Sequence, residues 1–122
     1  MKTRLVRLVS FLLAASVALA ASGAWAHAVL KSSIPAKDAE VPAPREIALQ
    51  FNEKLEPAFS TAKLVDSHGK VVETGKAEMD NNDPSIMKLA APALASGKYT
   101  VQFTAVGHDG HRRKGEFSFK VK

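Results

Sequence analysis

The chain has 122 residues, with 17 Lys and Arg against 12 Asp and Glu, and it contains no cysteine. That length suits one domain of about 100 residues behind a short leader, not two domains. Without cysteine, disulfides and thiolate metal sites are excluded, so any soft-metal chemistry must use His or Met.

The first predicted element is an export signal. Lys2, Arg4 and Arg7 form a basic start, and an apolar stretch runs from Leu8 to about Ala21, broken only by Ser10 and Ser16. Ala24-Trp25-Ala26 then puts small residues at the −3 and −1 positions of a signal-peptidase site. The apolar stretch is shorter than the ~20 residues that span a bilayer, so cleavage after Ala26 is expected and an uncleaved anchor is not. The mature chain is then residues 27–122, a single exported domain with no transmembrane segment. Its charge shrinks with the signal: 14 of the 17 basic residues remain against 12 acidic ones. That bias is too weak for a general nucleic-acid binder. Cleavage also makes His27 the first residue, offering a metal both its free α-amine and its imidazole. In the precursor the same nitrogen is an amide and binds metals far more weakly.

Short strands follow in order. Weaker candidates run over Ala28–Lys31, Phe59–Val65, Lys70–Thr74 and Ile86–Leu89. Three segments alternate clearly with period two: Ile47-Leu49-Phe51, Tyr99-Val101-Phe103-Ala105 and Phe117-Phe119-Val121. Such alternation marks strands with one buried face. Asp66-Ser67-His68-Gly69 reads as a tight hairpin turn, Asp80–Pro84 as a polar loop, and Ala91–Gly97 as a connection in which Pro92–Ala95 could form one helical turn. About seven strands with regular turns predict an all-β, Greek-key immunoglobulin-like β-sandwich; a small barrel is the alternative. Gly97-Lys98-Tyr99 fits either a tyrosine corner or an ordinary Tyr at the edge of the core.

The chemistry-bearing segment is Gly107-His108-Asp109-Gly110-His111, between the last two strong strands. Asp109 and His111 are two apart and would share a face if extended, and Gly110 lets the backbone bend toward an ion. Alone, Asp-Gly-His also reads as a turn with an exposed histidine. With an N-terminal His27, the set becomes three nitrogens and a carboxylate oxygen, a tetragonal environment favouring Cu(II). Zn(II) and Ni(II) use the same donors but fall below copper in the Irving–Williams order. Protons must leave before the metal binds, so affinity should fall steeply below about pH 6.

The residues resemble the CopC-type periplasmic copper-binding proteins across the mature chain. The resemblance rests on His27-Ala28-Val29-Leu30-Lys31-Ser32-Ser33-Ile34-Pro35, Leu49-Gln50-Phe51-Asn52-Glu53, Gly97-Lys98-Tyr99-Thr100-Val101, Asp109-Gly110-His111 and Gly115-Glu116-Phe117-Ser118-Phe119. It implies a periplasmic Cu(II)-binding protein for copper homeostasis and resistance, taking one Cu(II) per chain through His27, Asp109 and His111. It places Glu53 behind them as an orienting carboxylate and implies a CopD-type inner-membrane copper transport protein as partner. Two departures stand out. Only Met79 and Met87 occupy the region where some members carry a Met-rich Cu(I) site, and they read as packing residues. Phe103 stands where many relatives have tryptophan.

The competing reading is an enzyme, a copper monooxygenase built on an N-terminal histidine brace. Asp109 would fill a position that oxygen chemistry needs open, and the mature chain has one Tyr and no Trp to form a polysaccharide-binding face. A plain interaction sandwich with an incidental His27 is the third reading. His108 reads as a spectator or auxiliary ligand, and His68 as solvent-exposed. Arg112-Arg113-Lys114 reads as solvated hairpin surface, with a docking patch for an acidic or membrane partner as the alternative.

Overall fold

The computed structural model describes residues 28–122; the expected signal segment and His27 lie outside the described residues. Nine strands form two sheets and no helix occurs among the described residues: β1 Leu30–Ile34, β2 Glu40–Val41, β3 Glu46–Phe51, β4 Thr61–Val65, β5 Val71–Val72, β6 Glu78–Met79, β7 Ile86–Ala90, β8 Gly97–Val106 and β9 Arg112–Val121. One sheet has the order β1-β3-β7-β6 and the other β2-β9-β8-β4-β5. The fold is the expected β-sandwich. The two strands beyond the expected seven, β2 and β6, are two residues each, too short to show a period.

Alternation in the sequence becomes sidedness in the structure. Ile47, Leu49 and Phe51 of β3 face inward against Met87 and Leu89 of β7; from the other sheet come Tyr99, Val101 and Phe103 of β8 with Phe117 and Phe119 of β9. Ile47, Leu49, Leu64, Met87, Leu89 and Val101 are wholly removed from solvent, each burial favouring the fold by roughly 1.5–3 kcal/mol. Met87 is thus core, and Met79, its partner across β6–β7, packs half-buried against that core.

Phe103 is accommodated by a glycine. Gly115 lies directly across from it on β9, and a Cβ there would come within 2.5 Å of the Phe103 ring. The ring lies over that gap and meets Phe51 edge-on, centroids 5.4 Å apart, a favoured aromatic geometry.

The turns obey their local chemistry. Asp66 accepts hydrogen bonds from the His68 and Lys70 amides, and Gly69 takes a φ of 79°, which glycine allows without steric cost. The Tyr99 hydroxyl donates to the Ala95 carbonyl at 2.8 Å, so the tyrosine corner is present. Residues 91–95 form no helical turn. Phe59, expected in a strand, sits in a turn instead: the Phe59 and Ser60 amides both donate to the Glu56 carbonyl, which takes the backbone out of the ladder until Thr61.

Candidate metal centre

The candidate site lies at the end of the sandwich where β1 begins, β3 ends and β8 turns into β9. Ala28 is fully buried in the core cluster. Val29 then donates its amide to Asn52 Oδ1 at 2.7 Å and accepts from the Asn52 amide at 3.0 Å. These bonds tie the start of the described chain beside residue 52. His27, the first expected ligand, lies outside the described residues, one peptide bond before Ala28.

Glu53 follows Asn52, and its carboxylate turns toward the β8–β9 loop. Its Oε1 is buried with no hydrogen-bond partner among the described residues. It lies against Gly107, on the same side as Asp109 Oδ1. A buried carboxylate oxygen without a donor is costly unless a cation or a donor completes it. Glu53 thus lies on the same side of Gly107 as Asp109, one of the expected ligands.

The loop itself is a tight turn. Gly110 donates its amide to the Gly107 carbonyl at 3.0 Å, and Gly110 has a φ of 82°. Asp109 and His111 therefore meet across a bend, not along an extended strand. Asp109 Oδ1 accepts from the His111 amide at 3.0 Å, and Oδ2 lies 2.8 Å from His111 Nδ1. A proton on Nδ1 would be held by this carboxylate, and it would have to leave for both atoms to take one ion. The His111 side chain is 56% exposed and that of Asp109 29%, so an ion could reach them from solvent.

A second carboxylate–imidazole pair sits alongside. His108 Nδ1 is 2.8 Å from Glu56 Oε1, with the His108 side chain 78% exposed. Glu56 was not a candidate from the sequence. Its amide donates to the Val106 carbonyl at 2.8 Å, and Leu55 bridges to Gly107. The segment from Glu53 to Glu56 is therefore stitched to the ligand loop. Ser60, the buried polar residue, ties the same loop to Val106.

Among the described residues no group of three or more His, Asp or Glu side chains is arranged to hold a metal. Asp109 and His111 are brought together. His68 is exposed in its turn and Arg112, Arg113 and Lys114 are all exposed. A groove of about 590 Å³ is lined by Thr61, Lys63, Gln102, Thr104, Lys114 and Glu116, among others, and contains none of the candidate ligands.

A two-sheet sandwich with imidazoles and carboxylates gathered at one end defines the class. The particular family follows from comparison: the CopC domain model matches residues 30–122, and the chain belongs to the CopC family. It is 36% identical over 109 residues to Protein YobA of Escherichia coli K12, covering 88% of each chain. It is 39% identical over 105 residues to copper resistance protein C of Pseudomonas syringae pv. tomato, covering 81% of this chain and 83% of that one. The crystal structure of CopC from Methylosinus trichosporium OB3b superposes with a TM-score of 0.74 at 36% identity, covering 79% of this chain and 94% of that one. The copper transport protein CutJ of Bacillus subtilis is 31% identical over 99 residues, which are 80% of this chain but 18% of CutJ. The relatives whose names state a function are copper resistance and copper transport proteins, and the monooxygenase reading is set aside. No described helix is long and apolar enough to cross a membrane.

Proposed function

We propose that this chain is a periplasmic Cu(II) carrier, exported by a signal cleaved after Ala26, that binds one copper ion per chain. The ligands are the amine and imidazole of His27, with Asp109 and His111, and Glu53 stands behind them. Copper is the cargo, and no bond of an organic substrate is made or broken.

The observation that carries this reading is the placement of Ala28. It is buried at the core edge, and Val29 is fastened to Asn52. Ala28, the residue that follows His27, is therefore fixed beside the end of β3, the strand that leads into Glu53. The unpartnered Glu53 oxygen suits an amine donor or a cation there. Asp109 and His111 supply an oxygen and a nitrogen from the facing loop. This N,O set favours Cu(II).

Transfer to a membrane copper importer follows as part of the proposal. A domain of this kind occupies 18% of a longer copper transport protein, which supports a carrier that works next to a transporter. Intact mass spectrometry of the exported protein, with and without copper, tests the reading. A mass beginning at His27 and a single bound copper are expected; retention of the signal or failure to take up copper would refute it.

A further inference from the structure

Gly107 raises a question that backbone conformation does not answer. Among the described residues the positive φ angles belong to Asp38, Gly69, Gly97 and Gly110. Gly107 has an ordinary φ, so an L-residue could adopt its backbone. It is buried and bridges to Leu55. What a side chain there would meet is the Glu53 carboxylate. A Cβ at Gly107 would overlap Glu53 Oε1, stand 2.7 Å from Glu53 Cδ, and lie 3.4 Å from Asp109 Oδ1.

We propose that Gly107 is a positioning residue for the metal site: its missing side chain is the slot that seats the Glu53 carboxylate beside Asp109. The claim rests on the copper reading for its functional consequence, though the slot itself does not. Three contacts hold the Glu53 segment over the slot. Leu55 bridges Gly107, the Glu56 amide donates to the Val106 carbonyl at 2.8 Å, and the Glu56 carboxylate meets His108 Nδ1 at 2.8 Å. The backbone on either side is fixed by these contacts and by the Asn52–Val29 pair. A methyl group at 107 must then expel the carboxylate. The length of the Glu53 side chain matters for the same reason: an aspartate there stops one methylene short of the slot.

The test is a double-mutant cycle on the mature chain beginning at His27. Gly107→Ala is expected to weaken Cu(II) binding about 10–100-fold, the cost typical of losing a group that orients a ligand. Glu53→Asp alone should also weaken it. The two together should bind several-fold more tightly than Gly107→Ala alone, because the shorter carboxylate fits above the methyl. The Cu(II) electron paramagnetic resonance spectrum should change in Gly107→Ala and return toward wild type in the pair, which a general loss of stability would not produce.

A metal-free measurement covers the case in which copper binding itself fails. In the copper-free chain, carbon-13 NMR should show the Glu53 carboxyl resonance shifted in Gly107→Ala, because the methyl expels the carboxylate from the slot; an unshifted resonance would overturn the slot. Wild-type copper affinity in Gly107→Ala would overturn the proposal. So would a Gly107→Ala defect that shortening residue 53 does not relieve. If the wild-type chain takes no copper, the carrier reading falls, while the metal-free measurement still decides for or against the slot.

Discussion

Replacing Ser60 with alanine should destabilise the sandwich by about 2 kcal/mol, through one backbone amide. Ser60 is 3% exposed. Its hydroxyl accepts from the Val106 amide at 3.1 Å and donates to the Val106 carbonyl at 3.4 Å. It is needed because β4 starts only at Thr61 and its first rung joins Thr104, leaving Val106 with no strand partner on that side. The Val106 carbonyl keeps a donor in the variant, the Glu56 amide at 2.8 Å. The Val106 amide keeps none, and the residue is 5% exposed. A buried unsatisfied donor costs about 1–3 kcal/mol. In a domain this small, 1 kcal/mol moves Tm by about 4–8 °C, so a drop of about 12 °C is expected. Urea and thermal unfolding of the copper-free protein, followed by far-ultraviolet circular dichroism, measure it. A loss under about 0.5 kcal/mol would show that water or a shifted loop satisfies Val106, and that the hydroxyl does not close the ladder.

His111→Ala should weaken Cu(II) binding by more than about 100-fold and Glu53→Gln by about 10-fold, read by competition with a chelator of known affinity; the reverse order would reassign the ligands. The acid limb of stability should depend on Asp83, whose carboxyl is held below its usual value chiefly by the Ser85 hydroxyl, then by the Ser85 amide. Asp66 behaves likewise, lowered chiefly by the Lys70 amide. A lowered carboxyl stabilises the fold above its unfolded value near 3.8 and loses that contribution as pH falls through the lower folded value. Unfolding followed from about pH 5 to pH 2 should therefore show a shallower acid limb in Asp83→Asn than in wild type; identical slopes would remove Asp83 from that account.

The clear strands were legible because β3, β8 and β9 bury one face each, so period two is written into Ile47-Leu49-Phe51, Tyr99-Val101-Phe103 and Phe117-Phe119-Val121. Glu40–Val41 and Glu78–Met79 were not, since two residues carry no period and pair only because neighbouring strands present an edge. Phe59 looked like a strand residue by composition, but a turn anchored on the Glu56 carbonyl decides its place. At the site, Asp109 and His111 were visible from spacing and Gly110, although the contact between them comes from a bend. Glu56 and Gly107 were invisible for a different reason. Their roles depend on which loops the sandwich brings together, and no local pattern in the sequence reports that.

Copper titration of the mature chain beside a variant carrying one glycine before His27 tests the central claim most directly. Ala28 is fully buried and cannot slide to compensate, so the extra residue moves the amine by about 3.3–3.6 Å. Metal–ligand distances tolerate only about 0.2 Å. The mature chain should bind one Cu(II) tightly and the extended chain at least about 100-fold more weakly, roughly 2.8 kcal/mol. Equal affinities, or affinity no better than about micromolar in the mature chain, would contradict a site built on the N-terminal histidine.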